Sequence, residues 1–395
     1  MRKIYHIMMM AAGMALFTSC LSDDTDFSGI INGDGGYVPK NIDFDFTPLE
    51  EAAEAIPSDD NDYVENSSFR YHVTVVYVDD KAMLQGDVSR VKATVNGAHV
   101  TINSTVSGVE YILGGNSSDG SFKIYSENKM KVTLDGLQLV NPTGAAINNQ
   151  CGKSMYVELS PGTRNRIVSG YEYADVEGED MKGTLFSEGQ IIFSGAGRLD
   201  VLAFSRGGIV SDDYIVFRPG NVINVTSKVG NGVKANDGIF IRGGVLNVDV
   251  EGDAAKGINS ELDMIVSGGR TTVLTMGNAT AQDDDTSSSA AIKCDSIFTV
   301  TAGTLNLKSS GDGGKGINCD KHVFIEGGEV NVVTLGKKTM SSPKGIKADG
   351  DITVSGGSVY SYSKKSDAMD AARTFSYADG WTTLTREGHL FEVAY

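Results

Sequence analysis

Six stretches of this chain share one internal spacing, and that repeat restricts its fold more than any other feature. The clearest copy reads Lys344-Gly345-Ile346-Lys347-Ala348-Asp349-Gly350-Asp351-Ile352-Thr353-Val354-Ser355-Gly356-Gly357-Ser358-Val359. Aligned on the apolar residue after the first Gly or Ala, the copies start at Ile209, Val233, Ile258, Ile292, Ile317 and Ile346. The periods are 24, 25, 34, 25 and 29 residues. Periods in the twenties, made of short strands and Gly-rich corners, belong to solenoids.

Within each copy the side chains alternate as strands require. An Ile or Val and a small residue (Ala235, Ser260, Cys294, Cys319, Ala348) point inward, followed by pairs such as Ile239/Ile241 and Ile352/Val354 and by a third strand carrying Leu246/Val248 or Val330/Val332. Gly243-Gly244, Gly268-Gly269, Gly327-Gly328 and Gly356-Gly357 separate the second and third strands, where a tight corner favours positive φ. Three strands and three corners per period make one coil of an all-β parallel β-helix, with coils about 4.8 Å apart. A leucine-rich repeat needs a different leucine register, and a propeller needs periods near 40 or more. Outward positions such as Arg242 are expected to tolerate substitution.

The rest of the chain divides around this repeat. Residues 1–19 carry Arg2 and Lys3, an apolar run and Phe17-Thr18-Ser19 before Cys20, which resembles a bacterial lipoprotein signal with Cys20 acylated. The run is too short for a membrane span. Asp23, Asp24 and Asp26 follow and resemble the acidic export tag of Bacteroidetes surface lipoproteins. Residues 21–66 hold thirteen acidic residues against Lys40 alone, −12 of the chain's formal −17. We read residues 20–66 as a self-repelling flexible tether. Residues 67–105, with Asn96-Gly97 as a hairpin signal, read as an N-terminal β cap outside the repeat. Residues 106–370 form the β-helix, and residues 371–395, which include Trp381, form a C-terminal cap.

At Asp119-Gly120-Ser121-Phe122-Lys123-Ile124, Val132-Thr133-Leu134-Asp135-Gly136, Gly144-Ala145-Ala146-Ile147, Pro161-Gly162-Thr163-Arg164-Asn165 and the Lys-Gly-Ile-Lys/Asn coils, the chain resembles the carbohydrate-binding parallel β-helix family. Its founding clostridial member looks like a polysaccharide lyase in fold and binds plant-type polysaccharide. The likeness spans about residues 70–370. It implies a right-handed parallel β-helix, polysaccharide binding and calcium, and many Bacteroidetes relatives are surface lipoproteins.

Stacking turns outward positions into columns. One column reads Lys234, Asn259, Lys293, Asn318, Lys347, and a second reads Asp212, Asn236, Glu261, Asp295, Asp320, Asp349. Carboxylates one coil apart repel by roughly 3–4 kcal/mol at an effective dielectric near 20. The lysines, raised pKa values or a cation must therefore compensate them. Two readings stand: a self-compensating Lys/Asp checkerboard, or a strip that hydrogen-bonds sugar hydroxyls while Lys reaches uronate carboxylates. Lys256, Lys315 and Lys344 add positive charge beside it. Asp283-Asp284-Asp285, in the insertion that lengthens one period, and Asp295, Asp320 and Asp349 are the calcium candidates. Cys294 and Cys319 share an inward column within disulfide reach, either bonded or as two buried thiols. The five histidines show no zinc spacing.

No nucleophile elbow, P-loop, dinucleotide fingerprint or basic nucleic-acid patch is present. The expected function is non-catalytic binding of polysaccharide, acidic or of plant or host origin, by a monomeric outer-membrane lipoprotein exposed at the cell surface. The binding residues would be Lys234, Asn259, Lys293, Asn318 and Lys347, with Tyr360 and Tyr362 as stacking platforms. A calcium-dependent β-helix lyase and a structural spacer or adhesin are the alternatives.

Overall fold

The computed structural model describes residues 38–52, 54–282, 285–377, 380–381 and 386–395. The expected leader, Cys20, the run from Asp23 to Asp26, Asp283 and Asp284 lie outside these residues, and only the backbone of Asp285 and Trp381 is described. Strands make up almost all of the regular structure. Among the described residues, no helix is long and apolar enough to cross a membrane.

The strands stack into a parallel β-helix with three faces. The first face is a thirteen-stranded sheet, and its eleven inner strands, from Ala98–Ser104 to Met369–Ala371, run parallel. Tyr214–Phe217, Gly238–Ile241 and Ile352–Val354 lie on the second face; Val222–Ser227, Val245–Val250 and Ser358–Ser363 lie on the third. Residue pairing follows the expected columns: Lys234 opposes Asn259, Asn259 opposes Lys293, Lys293 opposes Asn318, and Asn318 opposes Lys347.

Stacking of like on like builds the core. Ile209, Val233, Ile258, Ile292, Ile317 and Ile346 lie one above the other, each completely buried. A buried side chain of this size contributes about 1.5–3 kcal/mol. Cys294 and Cys319 stack in the neighbouring column as buried free thiols, their Sγ atoms against the Leu262 and Ser296 carbonyls. Two corners require glycine for different reasons. Between the second and third faces Gly244, Gly269, Gly328 and Gly357 take φ of 77, 73, 76 and 73°, a region that side chains disfavour. Before the first face, a Cβ on Gly232, Gly257 or Gly316 would stand 2.1–2.3 Å from the Val248, Val273 or Val332 methyl of the same coil, although Ala291 takes the equivalent place in the coil between Gly257 and Gly316.

Three expectations need correction. Strands Tyr71–Val78 and Ala98–Ser104 pair in parallel with the coil that follows, so the first coil lies inside the supposed cap; Lys81–Gly86 and Lys92–Asn96 fold back antiparallel as its cover. The second correction is to the tether, because residues 40–52 and 54–66 are a strap fastened along the coils. Lys40 donates to Asn331 (2.8 Å), Asp45 pairs with Arg270 (3.1 Å), and the Glu51 carboxylate accepts from the backbone of Gly220 and Gly244. The strap then reaches Arg218, which is held by Glu54 (2.9 Å) and Glu65 (2.9 Å) and lies over the Tyr63 ring. Third, Arg242 is not a free outward residue, since it binds Asp62 (2.5 Å). Acidic residues that would repel one another in isolation are neutralised by arginines that the coils project outward. At the far end, Leu390–Ala394 runs antiparallel to Ser358–Ser363 and closes the last coils.

The strap makes one prediction. Arg218 is 5% exposed, so Arg218→Met leaves Glu54 and Glu65 without their counterion. A fully buried pair broken this way loses about 3–5 kcal/mol, and the partial exposure of Glu65 lowers the expected loss to about 2 kcal/mol. Limited proteolysis should then cleave within residues 40–66 faster than in the wild type. Unchanged protection would mean that other contacts hold the strap.

Candidate functional site

The first face is covered along part of its length and open along the rest. In the early coils, the loop 170–182 lies over it: Glu179 binds Lys123 (2.7 Å) and accepts from Asn148, and Lys182 stands over the Phe186 ring. Asn148, Phe186 and Val210 are consequently buried despite pointing outward. From Lys234 onward the column is partly exposed, through Asn259, Lys293, Asn318 and Lys347. The open strip therefore includes the five residues that the repeat singles out, on successive coils, and the column continues to Asp370.

Within the strip the charges compensate one another. Lys234 pairs with Glu261 (2.7 Å), Lys293 pairs with Asp295 (2.5 Å) and Asp320 (2.6 Å), and Lys347 pairs with Asp349. Burial pulls the Lys293 ammonium down, but its bonds to Asp295 and Asp320 outweigh that and hold it above the usual lysine range. The checkerboard reading is thus the one that the geometry favours. The lysine ammoniums occupy the places between carboxylates that a cation would take, so Asp295, Asp320 and Asp349 do not fit a calcium site. Among the described residues, no group of three or more His, Cys, Asp or Glu stands together to hold a metal. The side-chain oxygens of Asn259 and Asn318 have no hydrogen-bond partner. Two acceptors between the lysines thus remain unsatisfied.

The expected binding set splits over two faces. Tyr360 and Tyr362 lie on the third face, away from the lysine column. Tyr360 is 3% exposed beneath Ile42, with the Lys40 ammonium 4.8 Å from its ring centroid. It cannot serve as a stacking platform while the strap lies over it, and Tyr362 is partly buried in the same cluster. The sequence reading also missed two cavities that the strap walls. One, of about 450 Å³, is lined by Glu65, Phe69, Glu110, Lys131 and Glu158, and Lys131 bridges its two coil carboxylates, Glu110 (3.2 Å) and Glu158 (2.5 Å). The other, of about 320 Å³, lies on the third face beneath Phe44 and Phe46. Both depend on residues that, read locally, look like an acidic linker.

Beside the strip stands a lysine that the pairing scheme does not serve. Lys315 is 7% exposed and donates to the hydroxyls of Ser288 (2.5 Å) and Ser341 (2.8 Å). Burial, then repulsion from Lys347, Lys344 and Lys256, pulls its ammonium down to about 8, against a weak pull upward from Asp349. Enclosed by two hydroxyls, it is not placed to take a proton from a polymer lying on the strip.

The fold and site define a class: a parallel β-solenoid with an exposed polar strip in coil register. The family described as carbohydrate-binding domain-containing protein matches residues 96–261, 254–337 and 313–388, and the chain belongs to that family. Among solved structures, it is similar to the polysaccharide lyase-like protein from C. thermocellum, determined as a gadolinium derivative. That likeness has a TM-score of 0.51 and 22% identity, covers 64% of this chain and 96% of the other, and establishes a shared fold. No curated protein matches the chain.

Lys315 gives a pH prediction. Its folded pKa lies below its unfolded value, so the unfolded chain binds the extra proton between about pH 8 and 10.5, and this group's destabilisation fades as pH rises through that window. Lys315→Met should therefore be more stable than wild type at pH 7, by up to about 3 kcal/mol. Denaturant titrations of both proteins should show the difference closing between pH 8 and pH 10.5. A difference independent of pH would mean that the lysine is not held down.

Proposed function

We propose that this protein is a non-catalytic polysaccharide-binding lipoprotein of Bacteroidetes type, monomeric, acylated at Cys20 and exposed on the outer membrane. The observation that carries the binding reading is the open strip of Lys234, Asn259, Lys293, Asn318 and Lys347, in register on five coils, in a chain of a carbohydrate-binding family. A polymer with repeating hydroxyls suits a surface that repeats the same donors and acceptors along an axis. Each contact is weak, and affinity comes from several coils acting together. Because the lysines already have carboxylate partners, the strip acts as a neutral hydrogen-bonding rail. Calcium, implied by the family likeness, would have to bind away from the three paired aspartates, with Asp283, Asp284 and Asp285 as the remaining candidates.

The test is binding of the purified protein to a polysaccharide panel, with and without chelator, while absorbance reports unsaturated products. Lys234, Lys293 and Lys347 changed together to Ala should weaken binding about a hundredfold, at roughly 1 kcal/mol per lost hydrogen bond, with the fold intact. Any single change should cost about fivefold. Unchanged binding by the triple variant would remove the strip from the site, and unsaturated product would favour the lyase reading.

Anchoring is tested separately. Cys20→Ala should move the protein from the membrane to the soluble fraction, and changing Asp23, Asp24 and Asp26 to Ala should protect it from protease added to whole cells. Membrane association that survives the loss of Cys20 would refute acylation.

A further inference from the structure

The strip's lysines are paired, so recognition of an acidic sugar requires a cation elsewhere, and the third face offers one. Arg166 is exposed, and no ion pair joins it to any described residue. It lines the 320 Å³ groove with Arg198, Asp200, Asn224 and Asn247 of the coils and with Phe44 and Phe46 of the strap. Phe46 is 47% exposed, and its ring stands 5.9 Å from that of Phe44 at 57°. The Arg198 guanidinium stands 5.3 Å from the Phe46 ring centroid, and the ring is still half exposed beside charged and amide groups. That is the pairing that a pyranose satisfies, with C–H bonds on one face and hydroxyls at the edge.

The polar side of the groove is held in place. Arg198 donates through Nε (2.9 Å) to Asp200 and pairs with it again through Nη2 (2.9 Å). Asn224 donates to Asp200 (2.7 Å), and Asn247 donates to the Asn224 amide oxygen (2.9 Å). Asn247, 1% exposed, also donates to the Asp45 carbonyl of the strap (3.3 Å), and its own Oδ1 has no partner among the described residues. A buried acceptor without a donor is costly, and a sugar hydroxyl in the groove would supply the missing hydrogen bond.

We propose that this groove is a subsite for one acidic sugar residue, its ring against Phe46 and Phe44, a hydroxyl donating to Asn247 and its carboxylate on Arg166. The proposal rests on the polysaccharide-binding reading and adds to it the site of charge selection. The strap would then be part of the binding surface, since it supplies both rings. Asp200 does not oppose the carboxylate freely, because its charge is already taken by Arg198.

The experiment titrates the full-length protein with tetrasaccharides of galacturonate and of mannuronate and with hyaluronate tetrasaccharide, each as free acid and as methyl ester. At about 4.8 Å per coil the strip from Lys234 to Lys347 is about 19 Å long, which such ligands can match, so the triple lysine variant separates binding there from binding in the groove. The wild type should bind at least one acid more tightly than its ester. Arg166→Gln should weaken the acid about tenfold or more and leave the ester unchanged, whereas Phe46→Ala should weaken both. Both side chains are exposed, so unchanged thermal unfolding should accompany the loss. The triple lysine variant should bind the tetrasaccharides as the wild type does. If the wild type binds polysaccharide but Arg166→Gln and Phe46→Ala bind these acids unchanged, or if it binds only neutral sugars, the subsite is refuted. If it binds no polysaccharide at all, the functional reading falls, and the subsite with it.

Discussion

The hydrogen bonds that hold this molecule together run between coils. In the central coils the strands of the three faces find their partners in the equivalent strands above and below, which meet their N–H and C=O groups. Each coil must therefore reproduce the outline of its neighbour closely enough to keep those bonds. That requirement explains why two corners recur as glycine and why the same methyl-sized space is refused in one coil after another. It also explains where the chain varies: insertions such as loop 170–182 and the hairpin of Thr280–Gln282 with Asp285–Ser287 leave at corners and return without disturbing the stack.

The same requirement made the fold legible. A residue's column is fixed by its distance from the repeated Ile or Val, so Lys234, Asn259, Lys293, Asn318 and Lys347 could be placed side by side before any coordinates. The first coil was harder to see because Tyr71–Val78 and Ala98–Ser104 lack the Gly-Ile signature and are interrupted by hairpin arms. The strap left no local trace at all. Its residues have no periodicity, and its acidity reads as solvation until Arg218, Arg242 and Arg270, far along the chain, are seen to answer it. For the same reason Tyr360 looked exposed. Alternation tells which way a side chain points, and it cannot tell what another segment lays over it.

Charge is arranged differently on the two sides. On the first face, lysine and carboxylate alternate closely enough that each neutralises the next, so the strip offers hydrogen bonds and little net field. Under the strap, cations from the coils meet anions from a distant segment, and the pairs fasten one part of the chain to another. Lys315 fits neither pattern. It is tolerated at the corner because two serine hydroxyls accept hydrogen bonds from its ammonium, while burial and the neighbouring lysines lower its basicity.

A solenoid bonded only between neighbours would melt like a row of dominoes, each turn free to peel from its end. The strap changes that connectivity. It touches Tyr360 and Asn331 near one end, Arg270, Arg242 and Arg218 in the middle, and then leads directly into Tyr71–Val78 at the other end. Distant turns thereby share a single tie, so loosening one end removes a restraint from coils that it never contacts. The order of synthesis runs the opposite way. The tie leaves the ribosome before any coil exists, and its furthest anchor, Tyr360, follows 320 residues after Lys40. Closure on Tyr360 must wait for that coil, so a segment made ahead of the coils is still finding its place after they form.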